Sequence, residues 1–430
     1  MHYFSTNRRS PHTTFREAVI AGQPNDRGLY FPSEIPALTN NFLSELSNSD
    51  NGTIAFKVIR PYINGEIEDD ELRRICDETV NFDFLLVKLN EQISALELFH
   101  GPTLAFKDVG ARFMSRVLRY FSTDQTEKTI VVVATSGDTG GAVAAGFHNV
   151  EGIEVVIIYP KGKVSRVQEL QLTTLGGNVT TLELLGNFDD CQALAKQALA
   201  DTELRKRARL TSANSINVAR WLPQQFYYFF ALKHWHGEPP VISVPSGNFG
   251  NLAAGILAHA SGLPVEGFIA ACNANDVVPR YFANGSYEPH ETIATLSNAM
   301  DVGDPSNFVR ILELVERQFP EIGRRLTAVR IDDDATSITM REIFTECNYI
   351  VDPHGAVAFR ALADHLDDHP NSRGIFLETA HPLKFDSVLD ITGTQAEMPD
   401  AIMQMESREK VSIEIANDYD TVRNVILSKL

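Results

Sequence analysis

From about residue 97 onward the sequence predicts an α/β fold in which parallel sheets are flanked by helices. Three observations predict it. Short apolar runs at 130–134, 155–158, 241–244 and 374–377 suit strands buried on both faces. Between these runs lie helical patterns at 111–121, 140–148, 191–199, 252–261 and 356–366, and strand-helix alternation is the signature of parallel βαβ units. Glycine-rich turns join two of the strands to the helices that follow.

Taken in order, the first ninety or so residues read differently. Turn signals stand at Asn25-Asp26-Arg27-Gly28 and at Asn51-Gly52, and a charged helix is expected from 69 to 80. These residues are expected to form a separate N-terminal lobe, 1–96, ahead of a catalytic core at 97–430 that contains a mobile sub-lobe at about 128–210. Pro223 interrupts the helical pattern 218–235, which predicts a kink or a helix starting there. The polar stretch 394–399 reads as a surface loop leading into C-terminal elements.

At 430 residues the chain is long enough for two or three domains. Its formal charge of −18 argues against a nucleic-acid partner, since no basic stripe is present to neutralise phosphates. No stretch approaches the roughly 20 apolar residues of a membrane span, and the opening residues do not resemble a signal peptide, so a cytoplasmic protein is expected. Cys76, Cys191, Cys272 and Cys347 lie far apart without a CxxC pair, so they are read as small buried side chains, with no metal site.

Three segments carry chemistry. Val244-Pro245-Ser246-Gly247-Asn248-Phe249-Gly250-Asn251 ends a strand and opens a helix; Gly247 and Gly250 would permit close backbone approach and positive φ, so phosphate is the natural ligand, although such glycines also serve only to turn the chain. Ala134-Thr135-Ser136-Gly137-Asp138-Thr139-Gly140-Gly141 packs three hydroxyls against a helix N-terminus and suits a substrate carboxylate or phosphate; the alternative is a helix cap by Ser136 or Thr139. In Phe99-His100-Gly101-Pro102-Thr103-Leu104-Ala105-Phe106-Lys107-Asp108, a lysine flanked by apolar residues at a helix start is open to desolvation, which would make its amine nucleophilic toward an aldehyde.

Together these segments resemble the β-family of pyridoxal-phosphate enzymes, fold type II, and in wording the threonine synthases of the long bacterial type. The likeness spans the chain through Tyr3-Phe4-Ser5-Thr6, Gly28-Leu29-Tyr30-Phe31-Pro32, Ser212-Ala213-Asn214-Ser215-Ile216-Asn217, Leu296-Ser297-Asn298-Ala299-Met300-Asp301 and Thr379-Ala380-His381-Pro382-Leu383-Lys384-Phe385. The resemblance implies that Lys107 is the Schiff-base lysine and that Gly247, Asn248, Phe249, Gly250 and Asn251 hold the phosphate of pyridoxal 5′-phosphate. It implies that the Thr379 hydroxyl lies beside the pyridine nitrogen, that Ser136 and Thr139 contact substrate, and that Asn214, Ser215 and Arg220 hold a substrate phosphate; spacing alone reads this last segment as a helix-capping loop.

The implied activity is a lyase converting O-phospho-L-homoserine and water into L-threonine and phosphate, as a monomer or homodimer. A threonine dehydratase or cysteine synthase would share Lys107 and the glycine loop without needing Arg220 or the N-terminal lobe. A nucleotide-binding protein would use the glycine loop alone. Many relatives of this fold type carry Asn where Asp138 stands, against the cofactor's 3′-oxygen. A carboxylate would be repelled there unless protonated, so the simpler expectation is that Asp138 turns away to cap the helix beginning near Gly140. His381 receives no catalytic role.

Overall fold

The computed structural model describes residues 1–122 and 127–430. Among the described residues thirteen strands form three sheets. A two-stranded antiparallel ribbon pairs β1 (Tyr3–Ser5) with β2 (Tyr30–Pro32). The strands β3 (Leu85–Lys88) and β4 (Ile93–Glu97) follow; β5 (Thr129–Ala134), β6 (Ile153–Pro160), β7 (Val179–Leu184) and β8 (Arg209–Thr211) form consecutive members of a second unit. The remainder are β9 (Val241–Pro245), β10 (Gly267–Cys272), β11 (Leu326–Arg330), β12 (Gly374–Glu378) and β13 (Ile413–Ile415). The larger sheet has the order β11-β10-β9-β12-β4-β3, parallel except for the β3 edge; the other, β13-β7-β6-β5-β8, is parallel throughout.

Apolar runs became strands because both faces are covered. In β5, Ile130, Val132 and Ala134 point into one core, while Val131 and Val133 point into another that also holds Ile242 and Val244 of β9 and Phe15, Val58 and Ile75 of the N-terminal segment. Each expected helix is present, the one at 111–121 beginning earlier, as Lys107–Ser122, and the one at 140–148 as Asp138–Phe147. Around Pro223 the chain runs as helix Val218–Trp221, a 3-10 turn Leu222–Gln225 and helix Phe226–His234, the expected break.

One sequence expectation is altered here. Asn51-Gly52 is not a turn but the first residues of the helix Asn51–Ile63, because the Asp50 carboxylate accepts from Thr53 N (2.8 Å) and Ile54, Val58, Ile59 and Tyr62 bury one face. The turn at Asn25–Gly28 does form, with Arg27 at φ 64°. Strands β3 and β4, which fall in the stretch expected for the N-terminal lobe, pair into the six-stranded sheet. The C-terminal β13 joins the sheet of β5 to β8 across almost the full length of sequence between them. Among the described residues no helix is long and apolar enough to cross a membrane.

Candidate active site

Register decides where the chemistry collects. Ile93, Gly374 and Val241 begin three adjacent parallel strands in line, so β4, β12 and β9 end together at Glu97, Glu378 and Pro245. From that one edge depart the lysine loop, Thr379 and the glycine loop. In the five-stranded sheet, the neighbours β5 and β8 likewise lead into the Ser136–Thr139 turn and the Asn214–Arg220 segment. Carboxyl ends of parallel strands are where α/β proteins gather binding groups.

The lysine loop is clamped to the end of β12. Phe106 N donates to the Thr379 carbonyl (2.9 Å), His381 N donates to the Leu104 carbonyl (3.0 Å), and Ala105 bridges Ala380. Leu104 takes φ 56°, and the Tyr227 hydroxyl donates to the Phe106 carbonyl. These bonds fix Lys107 at the start of its helix. Although Lys107 keeps some exposure, burial of its amine is the strongest influence and pulls its pKa down; Asp138 opposes this, and Lys384 and Arg220 reinforce it.

At the glycine loop the conformation differs from expectation. Neither Gly247 nor Gly250 has positive φ; Phe249 does, at 62°, and no side chain caps the helix Gly250–Ala260 that it introduces. Gly247 is required because a Cβ there would lie 2.5 Å from Met300 Cα, whereas one at Gly250 would find Asn307 Nδ2 at 3.4 Å and Ser215 Cβ at 3.5 Å, ordinary contacts. Asn251 Nδ2 braces the loop by donating to the Pro245 carbonyl (2.8 Å). The uncapped helix start leaves backbone N–H groups for an anion.

The Ser136–Thr139 turn corrects two readings. Its cap is Thr135, whose hydroxyl accepts from Gly137 N (2.9 Å) and Gly140 N (2.8 Å), so Ser136 and Thr139 stay partly exposed at the helix start. Asp138 does not cap the helix. Its Oδ1 accepts from Lys384 Nζ (2.7 Å) and Gln168 Nε2 (2.9 Å), because a deeply buried carboxylate finds more stabilisation in an ammonium than in a helix end. Burial works against ionisation of Asp138, but Lys384 first and Lys107 second outweigh it and hold the carboxyl well below the usual range.

Arg220 is 3% exposed, and among the described residues no carboxylate lies within ion-pair distance of it. One arm donates to the Ala213 carbonyl, while Nε has no partner. Burial pulls the guanidinium down to about 10. Ser215 ties this segment to the glycine loop, its hydroxyl accepting from Asn248 Nδ2 (2.9 Å) and Asn307 Nδ2 (3.0 Å); Asn214 Oδ1 is buried without a partner.

Comparison with known proteins was decisive. Residues 81–376 match the family described as pyridoxal-phosphate dependent enzyme, residues 2–80 the threonine synthase N terminus, and residues 355–426 the threonine synthase C-terminal region. A curated threonine synthase of Haemophilus influenzae is 44% identical over 99% of this chain and all of its own length, and that of Escherichia coli is 41% identical over the whole of both. The chain belongs to the threonine synthase family. The crystal structure of the Escherichia coli threonine synthase superposes with a TM-score of 0.92 over both complete chains, and a pyridoxal-phosphate-bound threonine synthase from Brucella melitensis, 32% identical, with 0.93 over 100% of this chain and 99% of that one. A threonine deaminase at 14% identity, with a TM-score of 0.58, shares the fold alone.

As a threonine synthase family member the enzyme is a pyridoxal-phosphate-dependent lyase. Its residues fit the cofactor: an uncapped helix N-terminus, a lysine whose amine is desolvated and Thr379 all follow the carboxyl ends of the same strands. Sequence reading missed Lys384, Gln168 and Arg310. Lys384 lay in the family-like stretch 379–385 without a role; Gln168 carried no signal, since only folding brings its helix to Asp138. Arg310, wholly buried, donates to the carbonyls of Ser215 (3.0 Å), Ile216 (2.8 Å) and Tyr30 (3.1 Å) and covers Trp221, so it shapes the loop ahead of Arg220. An arginine amid the apolar residues 308–312 was the one available hint.

Proposed function

We propose that the enzyme converts O-phospho-L-homoserine and water into L-threonine and phosphate, with Lys107 holding the cofactor and moving the protons. The observation that carries this reading is Arg220: a buried guanidinium with an unpartnered Nε, packed against the lysine helix at Gly110, supports a phosphate-bearing substrate. Pyridoxal phosphate supplies the electron sink needed to acidify carbons next to the substrate amine.

Gly247, Asn248, Phe249, Gly250 and Asn251 cradle the cofactor phosphate at the open helix end, and the Thr379 hydroxyl serves its ring nitrogen. Ser136 and Thr139 receive the substrate carboxylate at the start of the helix Asp138–Phe147. Lys107, its amine pKa pulled down by burial, takes the proton from Cα and then one from Cβ, and returns one to Cγ to make the methyl group and one to Cα to restore the α-hydrogen. Arg220, Asn214 and Ser215 hold the phosphate as it leaves Cγ. Arg220 also keeps that phosphate near, where it is the base available to the water adding at Cβ. In the same proposal, residues 1–96 act as an N-terminal lobe, the sub-lobe at about 128–210 closes over substrate, and the enzyme works in the cytoplasm.

The test is the absorbance of purified protein with and without O-phospho-L-homoserine, coupled to phosphate release and followed by borohydride reduction and peptide mapping. A yellow protein that releases phosphate and carries reduced cofactor on Lys107 is expected, and Lys107→Ala loses both turnover and trapping. A colourless protein that releases no phosphate overturns the reading.

A further inference from the structure

Lys384 ends the 3-10 turn Pro382–Lys384 and is completely buried. Its ammonium is shared between Asp138 Oδ1, 2.7 Å away, and the Thr103 carbonyl, 2.8 Å away. Asp138 follows β5 of the five-stranded sheet and Thr103 follows β4 of the six-stranded sheet, so the ammonium ties together segments that leave the two sheets. Helix Arg166–Thr173 completes the arrangement from the side: Gln168 donates to the same Asp138 oxygen (2.9 Å), and Gln171 to the same Thr103 carbonyl (2.9 Å). Thr103 in turn donates through N (2.9 Å) and Oγ1 (2.6 Å) to Asp108, the neighbour of Lys107.

The charged groups whose fields reach the Lys107 amine are Asp138 from its helix, Lys384 from the 3-10 turn and Arg220 from the helix Val218–Trp221; among the described residues no carboxylate lies within ion-pair distance of that amine, and Asp138 is paired with Lys384 instead. Asp108 lies behind them, its own carboxyl pushed up by burial and held back by Thr103 and Lys384, and Tyr227 stays a neutral phenol because burial raises it. Asp138 is therefore paired with one lysine and acts through its field on the other. A buried carboxylate beside a buried amine draws a proton onto that amine and pairs with it, unless another cation has already taken the charge. An amine so captured is neither a nucleophile nor a base.

We propose that Lys384 is a positioning residue for the reaction: by pairing with Asp138 it keeps that carboxylate from capturing Lys107, and so leaves the Lys107 amine free to hold the cofactor and to accept protons. The proposal rests on the assignment of Lys107 as the cofactor lysine. It explains why an ionised aspartate is tolerated within reach of the field of the Lys107 amine, and why a wholly buried lysine stands against it. Lys384 acts through Asp138, so removing the carboxylate should make the lysine dispensable for this purpose.

The experiment is a pH titration of the visible absorbance of the bound cofactor in holoenzyme, alongside the acid limb of the kcat/KM profile, with thermal unfolding as the check on folding. Lys384→Met should move both apparent pKa values upward by about one unit or more, since a proton on the lysine nitrogen then meets Asp138 without its partner. Lys384→Arg, which keeps the charge, should titrate close to the parent enzyme, and Asp138→Asn/Lys384→Met should return toward it. If Lys384→Met does not fold, Lys384→Gln carries the same expectation. A folded Lys384→Met or Lys384→Gln that titrates like the parent overturns the proposal, as does a shift that persists undiminished in the double variant. Borohydride fixing the cofactor elsewhere than on Lys107 in the parent enzyme would instead sink the assignment on which it rests, a result independent of the variants.

Discussion

Arg220 is buried and His381 half-buried, and both are shifted by burial, yet their consequences are opposite in kind. For Arg220 the expected outcome is functional. Arg220→Lys keeps the charge but loses the fork, so KM for O-phospho-L-homoserine should rise and kcat fall, together about one to two decades in kcat/KM for a lost charge-assisted hydrogen bond. Steady-state kinetics at fixed ionic strength check this, and parental values in Arg220→Lys and Arg220→Ala would dismiss the role. For His381 the outcome is stability. Burial pulls the imidazole from 6.5 down to about 4, His100 adding to the effect, Glu97 opposing it and Lys384 reinforcing it. The folded state therefore binds this proton less readily than the unfolded chain, so the contribution is fully present above pH 6.5 and is lost as pH falls toward about 4. At about 1.4 kcal/mol per unit its loss amounts to roughly 3.5 kcal/mol at most. His381 Nδ1 also accepts from Leu383 N (3.2 Å), a bond that Asn can replace. Urea unfolding of His381→Asn between pH 6.5 and 4 should give a flatter acid limb than the parent; an unchanged slope would assign the acid sensitivity to other groups.

At the scale of elements, the lysine helix shows a local preference overridden by a neighbour. Gly110 lies inside the helix Lys107–Ser122, where replacing glycine by alanine ordinarily gains about 0.5–1 kcal/mol. Here a Cβ would sit 2.8 Å from the Arg220 carbonyl oxygen and 3.1 Å from its Nε, so the helix or the arginine must shift. Gly110→Ala is expected to lower the melting temperature and raise KM together. A raised melting temperature with parental KM would show that the close approach is not needed. The same reasoning explains the glycine loop, where Gly247 is required by the Met300 backbone beside it, and Phe249 rather than a glycine takes the left-handed conformation.

Over the whole molecule, the C-terminal segment covers one edge of the five-stranded sheet and part of its core. β13 pairs with β7, and Ile415, Val422 and Ile426 enter the core beneath β5 to β7, while Tyr419 and Arg423 both bond Asp201 (2.6 and 3.1 Å). Deleting residues 411–430 should expose β7 as a hydrophobic edge strand as well as uncover that core. We expect a marked loss of soluble yield and light scattering that rises at lower temperature than for the parent. A deletion variant that stays monodisperse with parental melting would mean that the sheet is complete without β13.

The sequence by itself determined the alternation of strand and helix, the break at Pro223, and the three segments that carry the chemistry, because apolar period, proline geometry and glycine-rich junctions are local properties. Through its likeness to a known family it also pointed to the cofactor and the activity. Local signals failed where a neighbour outweighed them: Asn51-Gly52 became helix once Asp50 capped it and an apolar face found a core. Asp138 looked like a cap because its nearest partner in sequence is the helix it begins, but its partners in space are Lys384 and Gln168. Only the tertiary structure brought those together, by aligning the ends of β4, β12 and β9 against those of β5 and β8. The physical reason is that a buried charge is settled by whichever opposite charge folding places within reach, and sequence distance does not constrain that choice.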